Sequence, residues 1–155
     1  MSRSDLPINE AIPLINIQKS APEGVWRPLS QGKIEKWEYA VGVVVDDDPN
    51  LRGALSIQLQ CMRNFRPKMV SYQFGLFYRE FGVPKRVYMV ESGDPQLGQE
   101  GEHTWPHEHI GDTRSDFPTA LVPKTFDEVL AKFTQTCFIE LEEPIEDPFE
   151  FRLKP

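Results

Sequence analysis

Three histidines, His103, His107 and His109, fall within the segment from Gly101 to Asp112, and the remainder of the 155-residue chain contains none. Histidine is the side chain whose unperturbed pKa lies nearest neutrality, and it is also the commonest neutral metal ligand. Either use would explain the clustering. His107 and His109 are two apart, so an extended backbone points both imidazoles to one face. Pro106 favours an extended conformation at Trp105, and Gly111-Asp112 reads as a turn. The spacing predicts a short strand from Pro106 to Ile110 carrying a His-x-His pair, with His103 on the approaching loop.

Three chemistries fit this segment. A catalytic zinc ion takes three protein ligands and a water, so His103, His107 and His109 could hold one, with Glu102, Glu108 or Asp112 completing the site. His103 is loosely tethered, and this zinc site is the less favoured reading; the expected centre has no metal and no cofactor. The second chemistry is acid–base catalysis beside an arginine that stabilises phosphate charge. It would cleave RNA without metal: one group deprotonates the ribose 2′-hydroxyl and another protonates the leaving oxygen. Tyr72, Tyr78, Tyr88 or Trp105 could stack on bases. In the third reading, His107 and His109 only make hydrogen bonds or partner contacts on a half-exposed strand.

Charge is unevenly distributed. The formal net charge is -7, which argues against a protein that coats DNA generically. Yet from Leu51 to Val90 the bases Arg52, Arg63, Arg66, Lys68, Arg79, Lys85 and Arg86 face Glu80 alone. Arg63, Arg66, Lys68 and Arg79 are therefore the candidate nucleic-acid-binding set. The stretch after Cys137 is acidic and could shield that surface when no ligand is bound. Cys61 and Cys137 sit in apolar contexts and read as buried free thiols. Apolar runs are too short to span a bilayer, and no signal-peptide core follows the first residues. The expectation is a cytoplasmic protein without membrane association.

The elements that must position these residues read as one domain over 1–155. Residues 1–33 form a proline-broken N-terminal arm. Alternating patterns over Lys36 to Val45, Ala54 to Met62, Val70 to Arg79 and Lys85 to Glu91 predict four strands joined by short turns. With the histidine strand they make an antiparallel meander of about five strands over 36–111. Thr125-Phe-Asp-Glu128 is a capping box, followed by apolar residues at helical spacing, so a helix over 125–137 should pack on the sheet. Residues 140–155 form an acidic tail, in which Phe149 and Phe151 could add an edge strand. The fold class is α+β.

The segment from Thr104 to Gly111, with Ala120 to Leu130 behind it, resembles the C-terminal half of the TumE-type toxin family and related small prophage-borne domains of unassigned function. The matching positions are Arg86, His103, Pro106, His107 and His109, within a resemblance that runs from Val70 onward. Arg86-Val-Tyr-Met stands where that family has an Arg-aromatic-Asp run, and His103 stands alone where it has a histidine pair. The resemblance implies a toxin–antitoxin or mobile-element context and nuclease action on RNA. His107 and His109 would then be the acid–base pair, with His103 nearby and Arg86 on the phosphate, and an antitoxin would be the protein partner. A reading from another class is a non-enzymatic interaction or inhibitor protein of a prophage or mobile element that binds a protein partner through its charged surfaces. Catalysis requires the histidines in a cleft, whereas a binding module permits them to be scattered and exposed.

Overall fold

The computed structural model describes residues 5–29, 33–46, 48, 51, 53–65, 68–95, 98–99 and 101–151. Its centre is an antiparallel sheet of seven strands that lie side by side in chain order. They are β2 (Trp26–Pro28), β3 (Ile34–Gly42), β4 (Leu55–Phe65), β5 (Lys68–Glu80), β6 (Val83–Asp94), β7 (His107–Ile110) and β8 (Thr113–Asp116). A separate parallel pair joins β1 (Lys19–Ala21) to β9 (Ile139–Leu141). Three α-helices accompany them: α1 (Ile8–Asn16), α2 (Phe126–Thr136) and α3 (Pro148–Phe151). The architecture is α+β, as the alternation and the capping box indicate, but the sheet is larger than the five strands expected. It is extended at its edges by β2 and β8, whose three and four residues are too short and too polar to show a period. Among the described residues no helix is long and apolar enough to cross a membrane.

The sheet has one apolar and one polar face. Leu55, Ile57, Leu59 and Cys61 of β4, Tyr72, Phe74 and Leu76 of β5, and Tyr88 and Val90 of β6 are buried together. Helix α2 covers this face. Phe126 meets Phe74 edge-on at 5.7 Å between ring centroids, and Phe133 stacks on Tyr88 at 6.2 Å. The start of α2 is fixed by Thr125, whose side chain accepts from the Glu128 backbone N–H while Glu128 reaches back to the Thr125 N–H. Both cysteines are buried and free. The acidic tail does not form the expected edge strand. Its Phe149 lies in α3, buried in the same core, because a chain already tied to β1 through β9 turns back over the helix-covered face.

Strand β6 breaks the strict alternation read from the sequence. Leu76 pairs with Tyr88 but Phe77 pairs with Arg86, so Val87 is an extra residue in β6. Such a bulge moves the residues beyond it to the opposite face. Arg86 therefore joins the polar face with Met89 and Glu91, and not the apolar face with Tyr88 and Val90. The bulge also frees backbone groups for tertiary use. The Arg86 carbonyl accepts from the Leu6 N–H, and the Val87 carbonyl accepts from the Gly111 N–H at 2.7 Å. Gly111 has φ +56°, and a Cβ there would stand 2.6 Å from the Leu6 carbonyl oxygen. Only glycine closes the β7–β8 turn against the segment that leads into α1.

Candidate functional site

The register of the sheet places the site. One row across the polar face runs Glu38, Gln60, Gln73, Glu91, His107, Asp116. The next row runs Ala40, Gln58, Gly75, Met89, His109, Arg114. Directly opposed residues of antiparallel neighbours share a face. His107 thus sits beside Glu91, and His109 follows on the same strand one row along. The His-x-His pair does project to one face, as its spacing predicts, and that face is the polar one.

Three side chains converge there. Glu91 Oε2 lies 2.5 Å from His107 Nε2 and 3.3 Å from His109 Nε2, and the two Nε2 atoms are 3.0 Å apart. The imidazole planes stand at 86° to one another. His107 is 4% exposed, and the other two are half-buried. Nδ1 of His107 lies 2.6 Å from the Trp105 carbonyl oxygen. A carbonyl only accepts, so Nδ1 carries the hydrogen, and the neutral ring then presents a lone pair at Nε2. That lone pair faces a carboxylate oxygen, which is also an acceptor. The arrangement therefore draws positive charge into its centre, either a proton or a cation. Burial pushes the Glu91 carboxyl up, but when the centre has taken a proton, hydrogen bonds donated by the imidazoles and their positive charge outweigh it and hold the group well below the usual carboxylate range.

The cluster opens on a cleft of about 240 Å3, whose wall includes Gln73, Glu91, His103, Thr104, Pro106 and His107. His103 is exposed on the rim, outside the convergent group. Among the described residues the group that could hold a metal is therefore Glu91, His107 and His109, and not the three histidines together. Glu108 cannot complete a site, because it points to the opposite face and accepts from the Tyr88 hydroxyl at 2.7 Å. Asp112 is engaged by the Ile8 N–H. The loop bearing His103 is tied to β8 by Arg114 and Asp116. The Arg114 side chain donates to Asp116 Oδ1 and to the Glu102 carbonyl, and Asp116 Oδ2 accepts from the Gly101 N–H.

The other expected residues are placed differently. Arg86 shares the face of the cluster, yet it is 4% exposed and its Nη2 is bound to Asp5 Oδ2 at 2.9 Å. It is a structural ion pair, not a free phosphate-binding group. Arg63 lies on the helix-covered face, where it meets Glu35 at 2.7 Å and stacks on Phe149. Lys68 and Arg79 are exposed at opposite ends of β5, and Arg66 lies outside the described residues. Arg63, Lys68 and Arg79 do not form one patch with the histidines, because alternation along β4 sends Arg63 away from the polar face and Lys68 and Arg79 stand at opposite ends of β5. Tyr72, Tyr88 and Trp105 are core residues and do not offer ring faces for stacking bases. Glu91 was missed by reading the histidine segment alone. Its signal was an acid directly after the apolar run Val87 to Val90, but only the register of β6 against β7 sets it beside His107. No known protein family, no curated protein and no solved structure matches this chain.

Proposed function

We propose that this chain cleaves RNA, with Glu91, His107 and His109 as its reacting centre, and that it acts as a small toxin-like protein of a mobile element. The observation that carries this reading is the convergence of two imidazoles and a carboxylate on the polar sheet face, with Glu91 and His107 at the wall of a cleft. Ribose-directed cleavage needs a base for the 2′-hydroxyl, a proton for the departing 5′-oxygen and positive charge beside the phosphate. A centre in which acceptor faces acceptor is suited to drawing a proton from the hydroxyl. His103, on the rim of the same cleft, is the histidine free to deliver a proton to the leaving oxygen. Arg86 is occupied by Asp5, so the charge beside the phosphate has to come from another cation. The convergence of His107 and His109 also favours this reading over a binding module, which permits the histidines to be scattered and exposed but has no need of their convergence.

The test is incubation of the purified protein with mixed-sequence RNA, beside His107→Ala, His109→Ala and Glu91→Gln. The expected result is cleavage that leaves 2′,3′-cyclic phosphate ends and falls by about 10²-fold or more in each variant, the scale of a lost acid–base group. Absence of cleavage by the wild-type protein, or equal cleavage by the variants, would overturn the reading.

A further inference from the structure

We infer that Glu91, His107 and His109 hold a single divalent transition-metal cation, zinc in the first instance, with part of its coordination sphere open to the cleft. This deepens the reading of the same centre as an RNA-cleaving site, and its catalytic meaning rests on that reading. It departs from the metal-free centre expected from the sequence.

Three independent features support it. First, the ligand atoms lie close enough together for one ion to reach all three. With mutual separations of 2.5, 3.0 and 3.3 Å, the circle through them is smaller in radius than a zinc–nitrogen bond of about 2.1 Å. One ion can therefore bond all three from one side, leaving its other side for water or substrate. Second, the hydrogen bond from His107 Nδ1 to the Trp105 carbonyl is the support that metal-bound histidines ordinarily have: it fixes the tautomer and aims the Nε2 lone pair. Third, the cluster calls for positive charge at its centre, which a cation supplies. A carboxylate and two inward-facing imidazole nitrogens crowd one point, and among the described residues no lysine or arginine is paired with any of the three. Two imidazoles and one carboxylate suit zinc and neighbouring first-row ions, and the set leaves the vacant position that catalytic sites keep.

A cation here would supply the positive charge that Arg86 does not. The proton of the 2′-hydroxyl would then pass to a cation-bound hydroxide, giving bound water, while the 2′-oxygen attacks phosphorus and the 5′-oxygen leaves with the proton from His103.

The experiment begins with protein stripped by chelator and dialysed. Zinc is added in a calorimeter and cobalt in an absorption cell, with melting temperature read in parallel. The expected result is one equivalent bound per chain, a cobalt spectrum of low coordination number, and a higher melting temperature with zinc. Glu91→Gln, His107→Ala and His109→Ala should each weaken binding by about 10²-fold or more, whereas His103→Ala should bind as wild type does. Glu91→Gln is nearly isosteric, so its loss of binding together with a wild-type circular dichroism spectrum separates ligation from folding. Stoichiometric binding with no RNA cleavage would leave the metal site standing and remove the RNA-cleaving reading. Cleavage by stripped protein in chelator would keep that reading and overturn the metal site. Failure of folded wild type to bind either ion, or loss of binding in His103→Ala but not Glu91→Gln, would overturn it as well.

Discussion

Arg86 and Asp5 form a buried ion pair that holds the chain before α1 against β6, and the pair is incompletely satisfied. Arg86 Nε and Asp5 Oδ1 are buried without a hydrogen-bond partner among the described residues. A buried pair broken on one side leaves an uncompensated charge, while replacement of both sides by apolar groups is often neutral. Asp5→Ala should therefore cost about 3 kcal/mol in urea unfolding, and Asp5→Ala with Arg86→Met should recover most of that loss. RNA cleavage by the double variant should match wild type, because Arg86 is given no part in the chemistry. At this scale the sequence was half legible. The spacing of His107 and His109 announced their common face, since period two is a local property. The partner Glu91 could be found only through the register of β6 against β7, and the fate of Arg86 turned on one extra residue at Val87.

The elements were legible where a pattern is long. Strands β3 to β6 carry nine to thirteen residues each, enough for alternation to stand out. Helix α2 was announced by its cap. Thr125→Ala removes one side of that capping box and should destabilise the protein by about 1 kcal/mol, read as a shift in the urea midpoint with an unchanged slope. Helix α1 was harder to read, because Pro13 lies inside it and proline removes one backbone donor and breaks most helices. The helix persists because tertiary burial of Ala11 and Ile15, beside Leu6, outweighs local propensity. Edge strand β8 gave no signal, since Thr113-Arg-Ser-Asp116 has no apolar side. It is nonetheless the element that ties down the His103 loop.

Across the whole molecule the least anticipated feature is Lys19, fully buried between the ends of two helices. Its ammonium donates to the carbonyls of Ile15, Ile17 and Cys137 at 2.9, 2.7 and 2.6 Å. These are the C-terminal ends of α1 and α2, where the helix dipole favours a cation. Nothing in the sequence distinguishes this lysine from a solvated one, because the acceptor that closes the site, Cys137, lies 118 residues away along the chain. Burial lowers its pKa to about 8, partly opposed by the nearby Cys137. The unfolded chain keeps its proton up to the ordinary 10.5, so between these values the unfolded state binds more protons and the Lys19 contribution to stability rises with pH. Below about 8 both states are charged and the contribution is flat. Lys19→Met should cost about 2 kcal/mol near neutrality, by leaving buried carbonyls unmatched. The difference in unfolding free energy between wild type and Lys19→Met should then grow in favour of wild type from pH 8 towards 10.5. Comparing the two proteins cancels the opposite trend of the buried Cys61 thiol, whose pKa is raised by burial.

The parallel pair of β1 and β9 has a mechanical meaning. It joins Lys19–Ala21 to Ile139–Leu141 side by side in the same direction, so almost the entire sheet is enclosed in the loop between them. When the chain is pulled by its two ends, the strands are drawn in opposite senses along a common axis. Their hydrogen bonds are then loaded together in shear instead of opening one after another as in a zipper. Tension that reaches the termini, as when an unfolding machine or a translocating pore grips one end, is resisted by this short clamp as well as by the contacts of Asp5 and Leu6 with Arg86 in β6.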